Sequence, residues 1–217
     1  MRTTFCTLLA VVLAASSICG QTSPAAPKTS TAESSTLTKE ERDLAIEYLK
    51  QTQKDFLAAT EGLSDAQWKF KAGPDRWSIA ETSEHIAIAE QTIWELVNGK
   101  IMKSPAAPEK RAEVKGKDET IMKMIPDRSR KAQAPEILKP TGRWTTRAAL
   151  VKDFESSRAK EIAYLAETKD DLKSHFEDHP LLKTMDAYQW LLLNAAHCKR
   201  HTAQILEVKA DPNYPKS

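Results

Sequence analysis

Two histidines, His197 and His201, stand four residues apart in Ala195-Ala196-His197-Cys198-Lys199-Arg200-His201-Thr202-Ala203-Gln204, a stretch without a helix breaker. On an α-helix that spacing sets both imidazoles on one face, one turn apart. Such a pair can chelate one divalent ion through two ring nitrogens. A third ligand tightens the hold and leaves a position open to water or substrate. His85 lies in a second strongly helical stretch and is the candidate third ligand. The expectation is one open metal site, His85 with His197 and His201, between two helices. Taken singly, the pair reads more often as a helix surface bearing two histidines, and His85 as a half-buried ring at a helix edge.

His175 and His179 share the same spacing and are rivals. Pro180 biases His179 away from helical dihedrals, and Asp170-Asp171 opens the same segment, so these two read as loop histidines at a pocket rim. Glu81, one turn before His85, could accept a hydrogen bond from its ring. A helix-capping role explains Glu81 equally well. Gln204 lies at the edge of the histidine face, while Lys199 and Arg200 read as solvated. Cys198 is rotated about 100° from His197 and reads as a small buried apolar residue.

These side chains need helices to hold them. Thr38-Lys39-Glu40-Glu41, Ser64-Asp65-Ala66-Gln67 and Ser78-Ile79-Ala80-Glu81 have the form of capping boxes. They predict a first long helix to about Thr60, a short helix carrying Trp68, and a second long helix from Ser78 to about Val97. Residues 100–144 are basic, proline-punctuated and poorly periodic, with room for one short helix at Lys117 to Ile125. A third long helix is expected from Thr145 or Thr146 to about Thr168, and a fourth after a Thr184 cap to about Val208. No segment alternates with period two, so the fold class is all-α.

A connection as long as 100–144 lets neighbouring helices run parallel, where short loops force antiparallel neighbours. His85 lies about 10 Å into the second helix and His201 about 10 Å before the end of the fourth, at 1.5 Å per residue. They share a level only if those helices are antiparallel. Both arguments lead to a four-helix bundle running up, down, down, up, with a crossover between the second and third helices.

The N-terminus reads differently. Arg2, the apolar run Phe5 to Ala15 and the small residues Ala14 to Gly20 form a signal peptide over 1–20, too short to span a membrane. Cys19 leaves a lipoprotein as the alternative. Residues 21–36, rich in Ser, Thr, Pro and Ala, are expected to be a disordered linker, and 37–217 the helical domain. The chain would then be exported, periplasmic or secreted, with no transmembrane span. A net charge of +2 lacks the electrostatic footprint of a nucleic-acid binder. Of three cysteines, only Cys198 lies clear of the leader, which excludes an internal disulfide framework.

Trp77-Ser78-Ile79-Ala80-Glu81 with His85, followed by His197, His201 and Gln204, resembles the DinB-like superfamily. The likeness extends to Gly62-Leu63-Ser64, to Ala134-Pro135-Glu136 with Lys139-Pro140-Thr141, and to Asp186-Ala187-Tyr188-Gln189-Trp190. It spans essentially all of 37–215. The resemblance implies a bundle of the YfiT type in which His85, His197 and His201 hold a divalent metal, often zinc or nickel. Some relatives are thiol-dependent transferases or isomerases, and others are described as metal-dependent hydrolases. An exported protein would not meet a reduced cytosolic thiol pool, which departs from the transferase pattern. The functional expectation is a metal-dependent enzyme of hydrolase or transferase type acting on a small molecule. The alternative is a non-catalytic metal or small-molecule binding module. A homodimer is left open.

Overall fold

The computed structural model describes residues 36–129 and 132–216. The signal peptide expected at 1–20 and the linker expected at 21–36 lie outside the described residues, apart from Thr36.

Four long helices carry the fold. They are α1 (Lys39–Thr60), α3 (Ile79–Gly99), α6 (Arg147–Glu167) and α7 (Ala187–Lys209). Short helices α2 (Asp65–Lys69), α4 (Arg111–Val114) and α5 (Lys117–Met124) lie between them. The helix starts are written locally. Thr38 with Glu41, Ser64 with Gln67 and Ser78 with Glu81 each form the reciprocal pair of side chain–backbone bonds. Each satisfies two amides that would otherwise lack a partner, and such a cap contributes about 1 kcal/mol. Thr146 caps α6 through Ala149 N–H.

Both α1 and α3 pack against both α6 and α7, and α5 lies on α7. The interior between them holds Leu49 and Phe56 of α1, Ile86 and Val97 of α3, Phe154 and Leu165 of α6, and Leu191 and Ile205 of α7, all at most 1 % exposed. α7 is buried on nearly every side over its first ten residues, from Ala187 to Ala196. A helix touching α1, α3 and α5 has little surface left for water.

Two expectations are corrected here. The fold is mainly helical but not purely so, because β1 (Phe176–His179) and β2 (Lys183–Asp186) pair as an antiparallel hairpin, Phe176 opposite Asp186 and His179 opposite Lys183. Four-residue strands are too short to establish a period-two pattern, and the turn between them is set by Lys183, at φ 60°. The second correction follows from the first. Thr184 belongs to β2, where its hydroxyl donates to Asp178 across the hairpin. The cap of α7 is Asp186, paired with Gln189 in a fourth capping box.

The long connection from Lys100 to Thr146 is more ordered than its composition suggests. Ile101, Val114 and Ile121 are buried. Arg111 forms a two-pronged pair with Asp171, at 2.9 and 2.8 Å, and Lys117 donates to the Leu182 and Thr184 carbonyls. The segment closes with a single 3-10 turn at Glu136–Leu138 that packs on α3.

Candidate metal centre

His85 lies in the second turn of α3, and His197 and His201 lie in the second half of α7. The packing of α3 on α7 brings all three together. His85 Nε2 is 3.1 Å from His197 Nε2 and 3.2 Å from His201 Nε2. This is the sole cluster of its kind among the described residues. His85 is only 2 % exposed, whereas His197 and His201 keep partial access to solvent. Trp77 packs on the His85 ring with centroids 5.0 Å apart.

The far nitrogens explain why the near ones face inward. His85 Nδ1 is 2.7 Å from the Leu138 carbonyl, which can only accept, so Nδ1 carries the proton. His201 Nδ1 is 2.9 Å from Gln204 Oε1. Arg128 donates to that same oxygen at 3.1 Å, which fixes it as the acceptor end of the amide. His201 therefore also holds its proton on Nδ1. Both Nε2 atoms then present lone pairs to each other at 3.2 Å, an arrangement without a hydrogen bond. A cation between them resolves it. Three nitrogens bound tetrahedrally at 2.0–2.1 Å would lie about 3.3 Å apart, close to the 3.1 and 3.2 Å seen. The residues fit a divalent metal.

The electrostatics agree with neutral, ligand-ready rings. Burial lowers the His85 pKa against the opposing Leu138 bond. Burial and the neighbouring imidazoles of His201 and His85 drive His197 well below its ordinary value. Burial, then His85, lowers His201 to about 3. A base whose folded pKa is depressed binds fewer protons folded than unfolded across the intervening range, so stability rises with pH there. The contribution is complete above about 6.5 and is lost as pH falls toward the folded values. The melting temperature of the metal-free chain is expected to fall between pH 6.5 and 4, and less steeply in His201→Asn. Equal slopes in a thermal melt series would contradict the placement of His201.

The other polar residues near the site fall elsewhere. Glu81 does not reach His85: its carboxylate accepts from Ser78 and pairs with Lys71 at 2.8 Å. The cap claims it. His175 Nδ1 lies 2.8 Å from the Ser104 carbonyl, and His179, on β1, accepts from Leu181 and Leu182 N–H while packing on Trp190. Neither joins the three. Cys198 is 1 % exposed and donates to the Thr52 carbonyl, with burial raising its pKa to about 12. Arg200 is not free in solvent; it donates to the carbonyls of Ile125 and Asp127. Two groups that set the histidines' hydrogen bonds, one directly and one through Gln204, escape sequence reasoning. Leu138 acts through its backbone, which leaves no side-chain trace, and Arg128 sits in a stretch without periodicity.

Comparison with known proteins places the chain. The profile of the DinB superfamily matches residues 48–205. Over 148 residues the chain is 24 % identical to the uncharacterized protein YuaE of Bacillus subtilis (strain 168), covering 68 % of this chain and 86 % of YuaE. Among solved structures it is similar to YfiT from Bacillus subtilis, described as a probable metal-dependent hydrolase with an unusual four-helix bundle topology. The TM-score is 0.55 at 16 % identity, over 83 % of this chain and 92 % of YfiT, a likeness of fold.

Proposed function

The chain belongs to the DinB superfamily, and from that premise we propose that it binds one divalent metal ion through His85, His197 and His201 and uses it in hydrolysis of a small molecule. The observation that carries the reading is the convergence of three Nε2 atoms whose two best-defined rings are protonated on the opposite nitrogen. Imidazole donors suit zinc and nickel, and we place zinc first because three histidines with an open fourth position are a common catalytic zinc set. A divalent ion held there would polarise a carbonyl or phosphoryl oxygen and activate water. The chain's own part is to hold three neutral rings in register. Leu138 and Gln204 fix two of the tautomers, and Trp77 shields the buried ring.

The bundle is proposed to run up, down, down, up. His85 stands near the start of α3 and His201 toward the end of α7, so their contact fits antiparallel helices. The long connection leaves α3 and α6 free to run parallel. We further propose that residues 1–20 are removed on export and that 21–36 link the leader to the bundle domain.

One observation favours a second reading, a metal or ligand carrier without turnover. Among the described residues the two carboxylates closest in sequence to His85 are engaged: Glu81 in its cap and Glu84 on backbone amides. Neither stands beside the histidines as a general base. Protein purified from its native host separates these readings. Metal analysis should give one ion per chain, and intact mass a chain lacking 1–20. Ester, amide and electrophile–thiol panels should show turnover that follows metal occupancy. Retention of a ligand with no turnover in any panel would favour the carrier, and a chain isolated without stoichiometric metal would contradict the metal-dependent enzyme.

A further inference from the structure

We propose that Glu84 is a positioning residue for the histidine site: its carboxylate gathers three backbone amides of the crossover and so holds the Leu138 carbonyl against His85. The bearing on metal binding rests on the reading above, while the effect on His85 does not.

Glu84 precedes His85 on α3 and is 7 % exposed, a depth at which an acid needs a reason. Among the described residues no cation pairs with it. Its partners are three backbone N–H groups, Thr141 at 2.8 Å and Arg143 at 2.9 Å on Oε1 and Gly142 at 3.0 Å on Oε2, with the Thr141 hydroxyl donating to Oε1 at 3.4 Å. Three consecutive amides converging on one carboxylate form an anion-binding nest. The nest requires Gly142 at φ +79°, a conformation that side chains with a Cβ rarely adopt. A Cβ there would meet no atom within 4 Å, so any substitution acts through the backbone angle and not through a clash.

The nest lies three residues from Leu138. Between them stand Lys139, which caps the 3-10 turn in an extended conformation, and Pro140, whose ring fixes φ. The connector is short and stiff, so fixing amides 141–143 also fixes the carbonyl at 138. Adjacent residues of α3 thus grip one strap in opposite senses. Glu84 accepts from it, and His85 Nδ1 donates to it at 2.7 Å. That donation is what leaves the His85 Nε2 lone pair facing His197 and His201.

The test uses the whole chain and reads the tautomer directly. In the metal-free wild type, imidazole 15N shifts should show His85 as a single Nδ1–H tautomer. Glu84→Gln, which turns a donor toward the amides, and Gly142→Ala, which leaves the carboxylate intact, should both populate the Nε2–H form. Zinc affinity should fall about 10–100-fold in each, the range for losing an outer partner of a metal-bound histidine. Circular dichroism should report unchanged helix content. A single Nδ1–H tautomer with unaltered zinc affinity in both folded variants would overturn the proposal. A tautomer shift in a protein whose wild type binds no zinc would uphold the positioning role and remove the metal reading instead.

Discussion

His201→Ala is expected to weaken divalent-metal binding by more than about 100-fold, beyond the 10–100-fold typical of losing an outer partner. The ring supplies one of only three converging nitrogens, and its Nε2 stands 3.2 Å from that of His85. The helix beneath it should survive. α7 is started by the Asp186–Gln189 box and anchored beyond the site by Ile205 and Val208, at 0 and 1 % exposure. Zinc titration calorimetry reads the affinity, and circular dichroism reads the fold. Loss of helix in the variant would make the metal a structural element, since ion binding would then be part of the folding free energy. Unchanged affinity would remove His201 from the ligand set.

The second large effect is expected away from the site. Arg158 is 0 % exposed at the junction of the four long helices. It donates to both oxygens of Glu90 at 2.7 and 2.6 Å, and to the Leu49 carbonyl and Thr52 hydroxyl at 3.1 Å each. Burial works against its charge, yet the Glu90 carboxylate raises its pKa. Glu161, also 0 % exposed, is raised well above the carboxylate range by burial and then by Glu90. It accepts from Asn194 at 3.0 Å. The ion pair in this cluster is Arg158 with Glu90, both fully enclosed. Arg158→Met would leave Glu90 buried without its partner, a loss of about 3–5 kcal/mol. For a domain of this size that lowers the melting temperature by about 6–20 °C. The double variant Arg158→Met, Glu90→Leu should recover about half of the loss or more, because replacing both members of a buried pair is often neutral. A melting temperature within about 2 °C of wild type in the single variant would show that the pair carries no such weight.

The histidine cluster was readable from the chain because helical spacing turns sequence distance into direction. Four residues set His197 and His201 on one face, and depth along two helices brought His85 to the same level. Three of the four capping boxes were readable for a similar reason, since each is a contact between residues three apart. The fourth was missed because Asp186 closes a hairpin whose strands are shorter than any period-two test. Burial of Glu84, Arg158 and Glu161 was hidden for a different reason. Their partners lie 57 to 59 residues away for Glu84, 68 to 109 for Arg158 and 33 for Glu161, with no periodicity to join them.

The distance between His85 and His201 along the chain also sets a clock. His201 follows His85 by 116 residues. At a synthesis rate of about 5–20 residues per second, His85 exists for roughly 6–23 seconds before its partner on α7 has been made. Until α7 is made, α1, α3 and then α6 lack the helix that covers their shared interior, and Arg158 and Glu90 have the chance to pair first. A set of all three rings exists only once His201 has been made, so any ion held by the complete set would join after α3 and α6 are in place.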